Sequence, residues 1–296
     1  MKLRFFVFVL ALLVICVFPL SGFGQQTDQS STQVLIDRNN LPRAIYDQEQ
    51  VQEIPLEMPG KFWAVGGNLS PEERGNVYGI IHFDQAFEIY KSRQRTWYVA
   101  PFVSVDITKD TKDLVWNNRA LLRGGIKAVR LFRGGIIEGG FAYAFEKRFL
   151  DDQSKDSPQF FANTWFGSDL PRYDRAAQPF KHLPRSFWAS VGNLSPQEGF
   201  NVQVMADGIQ GFTFADGRKA DGIIFIHGRI SADTKGFDWN NKIMTGVGVK
   251  LAIPLKSSIF EIGTELVREQ RLRSGNVSTG VTFFSSVYYD WTFVRR

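Results

Sequence analysis

The 296-residue chain holds a single cysteine, Cys16. It lies within an N-terminal apolar run, and a chain processed after that run would have none. That excludes a disulfide framework, a thiolate nucleophile and a thiolate metal site, and an exported protein without disulfides fits a bacterial envelope. Histidine is nearly as scarce, with only His82, His182 and His227. No metal-spaced cluster, phosphate-binding glycine loop or cofactor motif accompanies them, so no cofactor is expected. Neither sign of charge dominates. The formal net charge is +5, and removal of Lys2 and Arg4 leaves 33 basic against 30 acidic residues, or +3. That is too mild to argue for nucleic acid as a partner. Beyond residue 24 no stretch of 18 consecutive apolar residues occurs, so no transmembrane helix is predicted.

What is present begins with the leader. Lys2 and Arg4 precede an apolar run from Phe5 to Leu20, and Gly22-Phe23-Gly24 offers small residues before Gln25. Residues 1–24 read as a secretory signal peptide. A membrane anchor is the competing reading. A lipoprotein is disfavoured, because Cys16 follows Ile15 inside the run. Residues 25–60 are polar and aperiodic, with a breaker at Asn39-Asn40-Leu41-Pro42, and read as an N-terminal tail.

The rest repeats itself. FWAVGGNLSPEERGNV (62–77) and FWASVGNLSPQEGFNV (187–202) agree at eleven of sixteen positions. Chance supplies roughly one. DTKDLVWNNRALLRGGIK (110–127) and DTKGFDWNNKIMTGVGVK (233–250) agree at eight of eighteen. The offset falls from 125 to 123 between the blocks, and the unit is too long for a solenoid repeat. The chain is read as a first half-barrel repeat over 61–150, a linker over 151–185 and a second half-barrel repeat over 186–296.

Helical periodicity is nearly absent after residue 60, and alternation replaces it. In 135–149 one parity is bulky and apolar; the other is Ile136, Glu138, Gly140, Ala142, Ala144, Glu146 and Arg148. Successive strand side chains point to opposite faces, so one face wants hydrocarbon and the other polar partners. The same split recurs along runs of 13 to 17 residues. Soluble strands average about 5–6 residues, whereas a tilted membrane strand needs about 9–11 plus overhang. An all-β fold is predicted: an antiparallel transmembrane β-barrel of about 12 (10–12) strands. The alternative is a pair of periplasmic β-sandwich domains forming a binding protein. With the first strand entering from the periplasm, both NLSP and both Asp-Thr-Lys segments fall outside. Trp116 and Trp239 then mark an outer aromatic girdle, and Trp97, Trp165 and Trp291 an inner one. GNLSP reads as a strand-exit loop built from turn formers.

The pattern resembles bacterial integral outer-membrane proteins. The last strand, VTFFSSVYYDWTF, is similar to their C-terminal targeting strand, although Val294-Arg295-Arg296 follow it here. A fainter resemblance, carried by GIKAVRL (125–131) and GVKLAIPL (248–255) before an acidic strand, is to barrel regions of exopolysaccharide-secretion and phage-adsorption outer-membrane proteins. It implies an outer-membrane location, with lipid and the barrel-assembly machinery as partners.

The inward parities carry matched charges. Arg119 matches Lys242, Lys127 matches Lys250, and Glu138, Glu146 and Arg148 match Glu261, Glu269 and Arg271. Arg123 has no charged match because Gly246 replaces it, and Glu265 is extra. Basic residues crowd one strand and acidic residues the next, so a salt-bridged lumen network is predicted. Such a network stiffens the interior, or forms a narrow constriction for a glycan or small polar solute. The expected function is a narrow channel or a structural/export accessory of the envelope, without covalent chemistry. An outer-membrane hydrolase acting on lipid or peptide around His227, with Asp221, Ser231 and Asp233 on its strand, is the minority reading. A surface receptor or adhesin is disfavoured by short loops.

Overall fold

The computed structural model describes residues 56–92, 96–132, 134–167, 183–217, 219–255 and 258–294. Residues 1–24, read above as a signal peptide, most of the 25–60 stretch, and His182 lie outside the described residues. All described residues belong to one compact unit, 53–296.

The strands are β1 (Glu57–Asn68), β2 (Tyr78–Ala86), β3 (Tyr90–Lys91), β4 (Trp97–Asp110), β5 (Arg119–Phe132), β6 (Gly135–Arg148) and β7 (Ser154–Gly167). They continue as β8 (Arg185–Gly192), β9 (Gln203–Asp216), β10 (Asp221–Asp233), β11 (Lys242–Pro254), β12 (Ser258–Arg271) and β13 (Val277–Val294). Each pairs antiparallel with its sequence neighbour, except that β2 pairs directly with β4 while the two-residue β3 rides on β4. β1 closes on β13, from Glu57↔Val294 to Asn68↔Phe283. Twelve staves therefore form one closed barrel. The two-sandwich alternative is overturned: the alternation belongs to a single sheet rolled on itself, not to two pairs of packed sheets.

Two boundaries differ from local propensity. β1 begins at Glu57 rather than near residue 61, taking in Pro59 and Gly60, which disfavour strands. Their partners on β13 hold them in the ladder (Pro59↔Thr292, Gly60↔Trp291). β7 occupies 154–167, within the 151–185 stretch, and pairs along its length with β6 and over Phe161 to Gly167 with β8.

The two faces decide the environment. Outward residues are apolar and exposed on stave after stave: Val103 and Ile107, Leu122 and Ile126, Phe141 and Phe145, Phe212 and Phe214, Ile224 and Ile226, Val281 and Phe283. Phe141 is 71% exposed while Glu146, on the same strand, is 0% exposed. A water-soluble protein arranges these the other way round, and an apolar surface this extensive is stable only against lipid. Lipid offers the backbone no hydrogen bonds, so closure is obligatory. The protein is an outer-membrane-type transmembrane β-barrel. Unboiled protein is expected to migrate as a compact band distinct from the boiled form on a denaturing gel. A single mobility at both temperatures would contradict the closed ladder.

The tryptophans sort differently from the two-girdle reading. Trp97 packs against Tyr90 at 4.8 Å with its ring tilted, and Trp291 sits with Phe83 and Tyr289 at 5.5 Å from each, forming outward aromatic groups at the end where β1 begins. Trp165 is on the inner face of β7, two residues from Asn163, whose amide donates to the inward Glu138. Trp116 and Trp239 stack on each other at 5.3 Å, across loops that precede β5 and β11. Those loops meet over the barrel mouth, so these two rings are not placed around its circumference.

Candidate functional site

The inner face is built from strand parity upward. On β5 the inward residues are Arg119, Arg123 and Lys127; on β6 they are Glu138 and Glu146; on β11 and β12 they are Lys242, Lys250, Glu261, Glu265 and Glu269. Lys127 lies directly opposite Gly140, and its carboxylate is the diagonal neighbour Glu138 at 3.3 Å. Lys250 lies opposite Gly263, with Glu261 on the same diagonal at 2.7 Å. The glycines are required by this approach: a Cβ at 140 would sit 2.9 Å from Lys127 Cα, and one at 263 would sit 2.8 Å from Lys250 Cβ. Diagonal pairs of this kind are within reach of long side chains.

The charges form three layers. Nearest the end where β1 begins, Lys127 also reaches Asp84 at 2.7 Å, and Glu138 takes Lys61 at 3.0 Å and the Asn163 amide at 3.1 Å. Lys127 stands 5.0 Å from the Phe102 ring and Lys250 5.9 Å from that of Phe225. In the middle layer Arg123 pairs with Asp106, which accepts from His82 at 2.6 Å. His227 contacts Glu265 at 2.9 Å and Asp207 at 3.0 Å, and Arg229 joins Asp207 at 2.6 Å. Toward the other end, Glu146 holds Arg119 at 3.1 Å and Arg148 at 3.7 Å, and Glu269 holds Lys242 at 3.4 Å and Arg271 at 2.8 Å.

The two irregularities in the charge matching are one feature. Arg123 faces the small residues Ala142 and Ala144, whereas Gly246 leaves room that Glu265 occupies. One large charged side chain fills each place, drawn from opposite strands. The adjacent pair is inverted as well: His82 faces Asp106 in register, and Asp207 faces Arg229 at the matched positions. The contact survives because donor and carboxylate exchange strands together.

The two NLSP loops are not simple exits. They fold into the mouth, and Ser70, Asn193 and Ser195 are buried. Ser70 donates to Glu269 at 2.7 Å, and Ser195 donates to Glu146 at 2.6 Å, with the Gln197 backbone N–H adding a bond to Glu146 at 3.3 Å. Each loop thus bonds to the carboxylate of the other sequence repeat. The Asp-Thr-Lys loops are held by amide cages. Asp110 accepts from Asn76 at 3.1 Å, and from Asn117 and Asn118 at 2.8 Å each. Asp233 accepts from Asn201 at 3.0 Å, and from Asn240 and Asn241 at 2.9 Å each. Between these loops lies a cavity of about 270 Å³, lined by residues of both repeats, Trp116 and Trp239 among them.

No protein-family model matches this chain, and no curated protein matches it. Solved structures do. The β domain of the Bordetella autotransporter Brka is 10% identical, covering 80% of this chain and 100% of its own, with a TM-score of 0.41. An outer membrane channel from Pseudomonas putida F1 is 5% identical, covering 80% and 96%, with a TM-score of 0.42. The KdgM porin is 10% identical, covering 80% and 98%, with a TM-score of 0.35. Similarity at this level assigns neither a solute nor an activity.

All twelve charges singled out from sequence have an ionic or hydrogen-bonded partner here. Glu261 accepts from Lys250, Arg148 also reaches Asp151 at 4.0 Å, and the remaining pairs are those above. The residues that sequence reasoning left out of the network are Lys61, Asp84, Asp106, Asp207 and Arg229, together with the loop serines. The alternation of their strands places Asp84 and Asp106 on the polar parity. The signal for the serines was their identical place in the two NLSP copies. His227 is brought to Glu265 and Asp207, not to Ser231, Asp221 or Asp233 of its own strand. Both ring nitrogens face carboxylates, and Asp233 is engaged in its amide cage.

Proposed function

We propose that the protein is a narrow outer-membrane channel that passes a small polar solute and performs no covalent chemistry. The observation that carries this reading is the balance of the inner face. Nine cations (Lys61, Arg119, Arg123, Lys127, Arg148, Arg229, Lys242, Lys250 and Arg271), together with the His227 imidazole, contact eight carboxylates (Asp84, Asp106, Glu138, Glu146, Asp207, Glu261, Glu265 and Glu269). Counted over these lysines, arginines and carboxylates alone, 9 − 8 leaves one unit of charge. A pore lined this way offers hydrogen bonds everywhere and a strong field of one sign nowhere. It disfavours a charge-selective pathway and suits a neutral solute.

In this reading the barrel arises from two six-strand units, β1 to β7 without β3, and β8 to β13. The NLSP loops face outward from the cell, and the last strand is recognised by the barrel-assembly machinery. Purified protein in a planar bilayer is expected to give small, weakly ion-selective conductance steps. Absence of any step would favour a purely structural barrel. Esterase and protease assays should show no turnover, and His227→Ala should alter neither result. Turnover abolished by His227→Ala would establish the hydrolase instead.

A further inference from the structure

We propose that the cavity at the barrel mouth is a binding cup for one or two sugar rings of a neutral glycan. The proposal uses the channel reading only to place the cup at the entrance of the solute path. The cup itself stands on three features.

The first is aromatic. Phe237, Trp239 and Trp116 form a ladder, with ring centroids 4.7 Å and 5.3 Å apart and planes within 9° and 10°. Trp116 ends the ladder. Trp239 is its only ring partner among the described residues, and it remains 37% exposed. The next body on such a ladder must be flat, with weakly positive C–H groups turned to a negative π-face. The C–H face of a pyranose has that character.

The second is the set of polar groups. Asn117 and Asn240 each spend an amide N–H on an aspartate cage, which leaves their side-chain carbonyl oxygens as acceptors. Glu73 and Glu198 use one carboxylate oxygen each, on Asn76 at 3.0 Å, and on Asn201 at 2.7 Å and Gln203 at 2.8 Å. These four residues line the cup as two sequence-matched pairs. Arg119, Arg229 and Lys242 bring N–H donors to the same walls. Vicinal hydroxyls, which donate and accept at once, satisfy such a mixture; an apolar or purely anionic ligand does not.

The third is charge. The three cations of the wall are already neutralised from behind by Glu146, Asp207 and Glu269. Glu73 and Glu198 form no ion pair among the described residues and feel Lys242 and Arg119 only at longer range, so an acidic sugar brought between them meets repulsion. The volume of about 270 Å³ lies just under the about 300–1,000 Å³ of pockets for drug-sized ligands, which suits a mono- or disaccharide segment.

The test is calorimetric titration of the folded barrel in detergent with maltotriose, cellotriose and laminaritriose, and with trigalacturonate as the acidic probe. At least one neutral trisaccharide should bind saturably and trigalacturonate more weakly. Trp116→Ala should weaken the neutral sugar about tenfold or more, equivalent to about 1.4 kcal/mol, and Trp116→Phe should retain most of the affinity. Gel mobility of the unboiled variants verifies folding. The proposal fails if no neutral trisaccharide binds, if the acidic probe binds as well, or if Trp116→Ala leaves affinity unchanged. Binding without conductance would remove the channel reading alone, and conductance without binding would remove the cup alone.

Discussion

Glu146→Ala is expected to lower the unfolding free energy of the barrel by about 3–5 kcal/mol, the usual cost of stripping one partner from a buried ion pair. Glu146 is fully buried and is the shared acceptor for Arg119, Arg148, the Ser195 hydroxyl and the Gln197 N–H. Its removal leaves Arg119 without its carboxylate in a confined space. Arg148 keeps only Asp151 at 4.0 Å. The NLSP loop loses its anchor at the same time. Three companions separate these contributions. Ser195→Ala removes only the loop bond and should cost about 1–3 kcal/mol, because a buried acceptor loses one donor. Glu146→Gln keeps an acceptor for the serine but abolishes the charge, and should fall between the two. Arg119→Ala added to Glu146→Ala should recover part of the loss, as expected for neighbours that share one network. Urea unfolding in lipid vesicles, followed by tryptophan fluorescence and by unboiled gel mobility, reads all four. An unchanged midpoint for Glu146→Ala would mean that the carboxylate is not the keystone drawn here. By the matched geometry, Glu269→Ala should behave alike through Lys242, Arg271 and Ser70.

The double variant Lys127→Glu, Lys250→Glu should convert a weakly selective barrel into a cation-preferring one and destabilise it. Lys127 joins Lys61, Asp84 and Glu138 in a group of two cations and two anions, and reversal leaves one against three, a net of −2. Lys250 with Glu261 likewise passes from neutral to −2. Two unit charges 4 Å apart interact by about 4 kcal/mol at an effective dielectric of 20, so the lost attraction and the new repulsion are both substantial. Zero-current potentials across a planar bilayer under a salt gradient give the selectivity, and the unfolding midpoint gives the stability. A loss of stability without a change in selectivity identifies these clusters as packing that no ion passes. A change in neither would exclude them from any shared interior.

Much of the architecture was legible because strand geometry is local. A period of two assigns each residue to one of two faces, so GIIEGGFAYAFEKRF already separates Phe141 and Phe145 from Glu138 and Glu146. Length then argues for lipid, and the even number of staves for closure. The pairs Arg119–Glu146 and Lys242–Glu269 were also within reach, because consecutive staves pair antiparallel and the charges sit on their inward parities. The doubled NLSP and WNN blocks likewise marked the segments that carry the cup.

The remainder depends on which non-neighbouring staves face each other once the sheet is rolled, and no local pattern encodes that. Lys61 and Glu138 are 77 residues apart, and Ser70 and Glu269 are 199 apart. Their meeting is determined by the register at the β1–β13 seam and around the whole ladder. The same closure turns the NLSP loops inward, where the Ser195 and Ser70 hydroxyls donate to Glu146 and Glu269, two buried carboxylates that also hold the cations of that layer. It also brings Trp116 and Trp239 together, although each alone reads as a girdle residue, because a ring at a strand end can lie toward lipid or over the lumen. The sequence by itself determined a barrel with a polar, charge-bearing interior. Only the tertiary structure decided that the charges cancel across the lumen and that the two loops latch onto each other's half, because both require distances across a space that only closure defines.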